Sequence, residues 1–186
     1  MANFVFRQAK FGILADQDHS GTLGLDFHAD TFALAFVTTA LTEAVHADVD
    51  TLLALFTDAS GHLTASLTYT GTGVEYAGTN YARGSGDQTN IASEAVYEGT
   101  LSGTSSFAYL TAANTTISSM GATTDTPIVG LVVYKKTSDT DDAVNYPVSY
   151  HDFAVQPDGQ DCLVQWDAVN GAGTLATAGG VVLKIV

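Results

Sequence analysis

Positive charge is what this sequence has least of. Six Lys and Arg stand against twenty Asp and Glu, a formal net charge of −14 over 186 residues, and no base occurs between Lys10 and Arg83. Binding to a phosphate backbone or an anionic bilayer needs clustered cations to displace counterions or meet headgroups. The composition therefore excludes nucleic acid and membrane as expected partners. Cysteine is nearly absent too: Cys162 stands alone, so no intrachain disulfide can form and the fold must hold by packing and hydrogen bonds. The longest apolar run, Ile128 to Tyr134, is far short of the roughly 20 residues that cross a bilayer as a helix. The opening "MANFVFRQAKFGILAD" carries Arg7 and Lys10 inside what would be the apolar stretch of a signal peptide, so synthesis in a cytoplasm without a leader is expected.

What is present is a period of two. In "LTASLTYT" (Leu63 to Thr70), Leu63, Ala65, Leu67 and Tyr69 alternate with Thr and Ser, the pattern of a half-buried strand. "TFALAFVTT" (Thr31 to Thr39) sets Phe32, Leu34 and Phe36 against small Ala33 and Ala35, so both faces tolerate burial and a central strand is expected. Further strands are expected at 95–101, 106–111, 128–135, 146–153, 162–167 and 180–186. They are separated by Gly, Ser, Thr, Asp and Asn clusters such as "ARGSGDQTN" and "TSDTDDAVN". Many short strands with such turns predict a mainly-β fold, an antiparallel sandwich or jelly roll. Two segments depart from it. "DVDTLLALF" places Val49, Leu52, Leu53 and Phe56 at helical spacing with Asp48 as the expected N-cap. "NFVFRQAKFGILA" carries Phe6, Ala9 and Ile13 on one side with Asn3 as the expected cap. One domain over 1–186 is expected, with a helical segment at 1–15, since no repeat period or linker interrupts the chain.

The chemical motifs are thin. No G-x-S-x-G elbow occurs, and His19, His28, His46, His62 and His151 lack metal-ligand spacing, so no catalytic residue and no enzymatic activity are expected. "GTGVEYAG" (Gly71 to Gly78) contains G-x-G without a third glycine at the right distance or a following helix; its glycines are expected to serve turns rather than a phosphate. Trp166 alternates with Val164 and Cys162 and is expected in the core. Tyr69, Tyr76, Tyr81, Tyr97 and Tyr109 are candidates for an interface, where a ring can be apolar at one end and wet at the other.

One stretch reads as a metal loop. In "ADQDHSGTLGLDFHAD", Asp16, Asp18 and Ser20 alternate and Gly21 follows, as in a calcium loop. The bidentate Glu of an EF-hand should stand twelve residues in, where this chain has Phe27, with Asp26 one place early. Asp16, Asp18, Ser20, the Thr22 carbonyl and Asp26 make at most an incomplete, water-filled cage with affinity toward the millimolar range. Calcium there is the one cofactor candidate; no other is expected.

The order of segments resembles a family of tailed-bacteriophage virion proteins. The opening "MANFVFRQAKFGILA", the strand in "DFHADTFALAFVT", the turn "ADVDTLLALF", the "TGTGVEYAG" stretch and the end "TPIVGLVVYKKTSDTDDAVNYPVSYHDFAVQPDGQDCLVQWDAVNGAGTLA" follow the family's helix, strand, glycine-rich segment, V-V-Y-x-x-T strand, acidic loop and W-N-A-x-G-like close. Val74 and Glu75 depart from its middle motif, and the region 87–119 is longer than its counterpart. The resemblance implies a structural, head-decoration or tail-associated protein. A capsid decoration (cement) protein on the capsid exterior is the expectation, bound to the major capsid protein and to copies of itself. A tail-tube or tail-tip subunit and a glycan-binding fibre adhesin are the alternatives. Attachment is expected at Phe4, Phe6, Arg7, Lys10 and Phe11, where aromatic rings accompany two of the six bases.

Overall fold

A computed structural model describes residues 3–14, 25, 30–58, 68–83, 90–91, 93–101, 105–112, 115–164 and 183–185. In chain order the elements are β1 (Phe4–Val5), α1 (Arg7–Leu14), β2 (Phe32–Val37), α2 (Glu43–His46), α3 (Leu52–Leu55), β3 (Phe56–Asp58), β4 (Gly73–Val74), β5 (Asn90–Ile91), β6 (Ser93–Leu101), β7 (Ser105–Ala112), β8 (Thr115–Ile117), β9 (Ile128–Lys135), a 3-10 turn (Asp142–Val144), β10 (Tyr146–Val155), β11 (Cys162–Val164) and β12 (Leu183–Ile185). The fold is mainly β. Its centre is a five-stranded antiparallel sheet in the order β1-β10-β9-β2-β5, with smaller sheets β12-β7-β6, β11-β8 and β3-β4 beside it.

All six residues of β2 are buried, as its two-sided apolar pattern requires of a central strand. One face offers Phe32, Leu34 and Phe36; the other offers only Ala33, Ala35 and Val37. The space those small residues leave is taken by large ones on the neighbouring strands. Ala33 lies opposite Tyr134 of β9 and Ala35 opposite Val132, which in turn faces Tyr150 of β10. Where Tyr150 leans over, β9 carries Gly130, on which a Cβ would lie 2.6 Å from the Tyr150 ring. Small-against-large packing of this kind fills the interior without voids.

The chain enters through β1, whose Phe4 and Val5 pair with Tyr150 and Ser149 on the outer edge of β10. Phe4 stacks near Phe6 and Tyr150, ring centroids 5.0 and 5.4 Å away, and Phe6 is fully buried. The expected helix at 1–15 is therefore a short strand followed by α1. Asn3 does not cap that helix; its Oδ1 accepts from the Asp152 N–H at 2.9 Å and extends the β10 edge. The helix expected after Asp48 is likewise displaced. Thr51 is its cap: extended at φ −137°, ψ 160°, it accepts from the Ala54 N–H through its side chain. Asp48 instead pairs with Arg7 at 2.5 Å. Leu52, Leu55 and Phe56 are buried, but Phe56 already belongs to β3, because the chain turns extended at that residue (φ −93°, ψ 151°). The strand expected at 63–70 falls largely outside the described residues, of which 68–70 are irregular. Residues 128–135 form a strand with the expected bounds, and β6, β7 and β10 run a residue or two longer than expected.

Because Phe6 fills the core beneath α1, Phe6→Ala is expected to lower unfolding free energy by about 3–5 kcal/mol. Urea denaturation followed by circular dichroism measures this. A loss under about 1 kcal/mol would show that the N-terminal segment merely rests on the sheet.

Candidate functional site

The segment 71–83, which the sequence marks only as glycine-rich, supplies the most unusual chemistry in the molecule. Its glycines are forced by contact: a Cβ on Gly71 would overlap the main chain of Ala54 and Leu55. With the backbone so close, Glu75 bridges Val37 of β2, Thr38 N–H donates to Val74 O at 2.9 Å, and Tyr76 N–H donates to Phe36 O at 2.9 Å. The Glu75 side chain thereby enters the interior, where Arg83 meets it.

Arg83 holds two carboxylates at once, and all three side chains are fully buried. Its Nε donates to Glu75 Oε1 at 2.6 Å and Nη2 to Oε2 at 3.0 Å. On the other side Nη1 and Nη2 donate to Asp142 Oδ1 and Oδ2, each at 2.6 Å. The guanidinium lies between the rings of Phe56 and Tyr134, 5.7 and 5.4 Å from their centroids. One cation with two anions leaves an excess negative charge in a low-dielectric interior, so further donors are required. Tyr81 Oη donates to Glu75 Oε1 at 2.9 Å, Tyr69 Oη to Asp142 Oδ2 at 3.0 Å, and Asn145 Nδ2 to Asp142 Oδ1 at 3.0 Å. Tyr81 Oη also accepts from the Phe36 N–H at 3.1 Å. Asn145 carries the network into the acidic loop, accepting from the Thr137 and Ser138 N–H groups and donating to Ser138 O.

The electrostatics follow from this enclosure. Burial alone would lower the Arg83 pKa; the Glu75 carboxylate and the hydrogen bonds donated to both acids override it and hold the guanidinium charged. Burial, then the Glu75 charge, pushes the Tyr81 phenol well up. Tyr134, also buried, is pushed up to about 12. Tyr69 rises through burial and the Asp142 charge.

Over the Glu75 floor lies an open groove of about 380 Å³, lined by Thr38, Val74, Tyr76, Ala77, Gly78 and the 124–126 turn. Tyr76 is buried in its wall and donates to Asp125 Oδ2 at 2.7 Å, and the Ala122 N–H donates to the same oxygen at 3.0 Å. Burial, then the bond to Asp125, raises the Tyr76 pKa. Gly78 and Gly121 must lack side chains here, since a Cβ on either would overlap the Tyr76 hydroxyl; Gly121 also has φ +72°.

No family model, curated protein or solved structure matches this chain.

Of the residues singled out in the sequence, Asp16, Asp18, Ser20, Thr22 and Asp26 of the calcium candidate lie outside the described residues. Among the described residues no group of three or more His, Cys, Asp or Glu is placed to hold a metal. The expected attachment cluster divides. Phe4 and Phe6 are core residues, because β1 turns them inward, and so are not available to a partner. Arg7 and Lys10 are exposed and face Asp48 and Glu43, at 2.5 and 3.8 Å. The Phe11 side chain is outside the described set. Tyr76 and Tyr81 are buried within the fold rather than presented to another chain, and Tyr69 is half-buried against Asp142. The side chains of Tyr97 and Tyr109, like Trp166, are outside the described set. Of the histidines, His151 hydrogen-bonds Ser149 Oγ through Nε2 at 3.0 Å. Burial lowers its pKa, but Ser149 is only 2% exposed and is shut off from any substrate. Sequence reasoning passed over Glu75, Arg83, Asp142 and Asn145. The signal was there in one respect: Arg83 ends a stretch of more than seventy residues without a base.

Replacing Arg83 by Met keeps the volume but strands two buried carboxylates. Arg83→Met is expected to cost about 3–5 kcal/mol of stability, and urea denaturation checks it; a loss under about 1 kcal/mol would show the pairs to be dispensable. Alkali tests the phenols. With folded-state pKa values raised above the unfolded value of 10.0, Tyr81 and Tyr134 contribute stability that is whole below that pH. It is lost as pH rises toward the Tyr134 value of about 12, because the unfolded chain ionises first. The melting temperature should fall across that window, and less steeply in Tyr81→Phe.

Proposed function

We propose that this protein is a structural component of a bacteriophage virion, a decoration (cement) protein on the capsid exterior that binds the major capsid protein and neighbouring copies of itself. The observation that carries the reading is where the resembling motifs meet. Tyr134 comes from the V-V-Y-x-x-T strand and Asp142 from the acidic loop, and both meet Arg83, with Asn145 of the same loop holding Asp142; Glu75, at which the chain departs from the family's middle motif, takes the other side of the guanidinium. The resembling segments thus serve to hold a shape, and the chemistry they carry is enclosed. This is what a structural subunit requires: a mainly-β body locked without disulfides by a buried charge network.

The charge supports the same reading. Four of the six bases are Arg7, Lys10, Lys135 and Lys136, and each is paired with an acid, so the exterior remains strongly negative and unsuited to packaged nucleic acid. A decoration subunit acts through many weak contacts repeated over a lattice, where each additional contact forms at high effective concentration.

Purified protein mixed with capsid shells that lack it should co-sediment with them, reach hundreds of copies per particle and raise the shell's melting temperature. Recovery in a few copies, or with tails alone, would overturn the assignment.

A further inference from the structure

We propose that the groove between residues 74–78 and 124–126 docks an extended segment of a partner protein and receives from it a lysine or arginine side chain at Asp125. The charge comes first. Of the two acids lining the groove, Glu75 is matched by Arg83 beneath it. Among the described residues Asp125 is not matched by any cation, and both hydrogen bonds to its carboxylate, from Tyr76 and from the Ala122 N–H, fall on Oδ2. Its Oδ1 accepts no bond among the described residues. A half-buried carboxylate fixed through one oxygen and open at the other is preorganised for a cationic donor, because its ordering is already done. The fixing is thorough: Gln156 Nε2 holds the Asp125 main-chain carbonyl at 3.0 Å, and Gly78 and Gly121 leave room for the Tyr76 bond.

The main chain indicates a peptide. Ala77 is exposed on the groove wall, and neither its N–H nor its C=O makes a hydrogen bond among the described residues. The preceding residues 74–76 are already tied to β2 on one side. An extended chain laid along this wall can take both Ala77 groups, as in strand addition, while a side chain reaches Asp125. Thr124 and Thr126, both exposed, add hydroxyls at the rim. A volume of about 380 Å³ holds one basic side chain and its flanking residues but not a helix, which is about 10 Å across. A sugar would find Asp125 and the threonines but would leave the Ala77 pair unused. The net charge of −14 steers a basic segment toward the molecule. The inference does not depend on the partner being a capsid subunit.

Two synthetic pentapeptides, Thr-Val-Lys-Val-Thr and its Glu-centred counterpart, blocked at both ends and titrated into the isotope-labelled full chain, provide the test by amide chemical shifts. The Lys peptide should shift Ala77, Asp125 and Thr126 saturably, and the Glu peptide should not. Asp125→Asn should weaken binding by about tenfold. Thr126→Lys, which places a cation in the groove from an exposed position, should abolish binding with the spectrum otherwise intact. The proposal is overturned by an absent or non-saturable response to the Lys peptide, by equal binding of both peptides, or by indifference to both substitutions. Preferential saturation of the same amides by maltotriose would overturn it in favour of a glycan. None of these results bears on co-sedimentation with capsids, so failure here and failure of the virion assignment are told apart.

Discussion

The Arg83 guanidinium is the constraint around which the described parts of this protein are arranged. It fastens Glu75, which lies alongside β2, to Asp142, which lies in the loop between β9 and β10. Each anchor then draws in more of the chain. Tyr81 and Tyr69 converge on the two carboxylates, Asn145 ties down the acidic loop, and the Leu52 N–H donates to Asn145 O at 2.9 Å and so seats α3. A hydrophobic cluster of the same volume could equal the stability, since desolvating three charges offsets much of their attraction. What the ionic arrangement adds is direction. Two forked pairs at right distances accept one geometry, whereas apolar side chains accept several.

Much of the fold was legible because it rests on alternation. β2 stood out as a two-sided apolar run and β9 as the longest apolar run, and both are central strands with buried faces. Boundaries set by single hydrogen bonds were not legible. Nothing in the local pattern distinguishes Asp48 from Thr51 as a cap; in the fold Thr51 caps α3, and Asp48 pairs with Arg7, forty-one residues upstream. The N-terminal segment misled for a related reason. Phe4, Phe6 and Phe11 beside Arg7 and Lys10 look like a sticky surface, but β1 pairs with β10 and turns Phe4 and Phe6 inward. The buried network was the least legible of all, since its members lie up to seventy-six residues apart (Tyr69 to Asn145) and each alone passes for an ordinary surface or turn residue.

The groove owes its form to the same arrangement. Glu75, whose side chain is held by Arg83, lines it, and Tyr76, which also lines it, meets Asp125. Among the described residues, one acid lining it, Glu75, is matched by a cation and the other, Asp125, is not. One side of the groove is thus tied to the core through Glu75 and Tyr76, while its open carboxylate, Asp125, is half-buried in a turn.

The bond between the Phe36 N–H and the Tyr81 hydroxyl carries a different kind of consequence. Among the described residues β5 pairs with β2 at Phe32 and Ala33 alone; farther along, the edge of β2 is closed by the 74–76 segment and by a phenol oxygen. Since that phenol is itself oriented by Glu75, loosening the charge network would also lift the seal from a strand made of Phe, Ala, Leu and Val. A strand of that composition with its amides uncovered is a template for pairing with another molecule. The buried ions therefore guard the edge of β2 against such pairing as well as holding the shape.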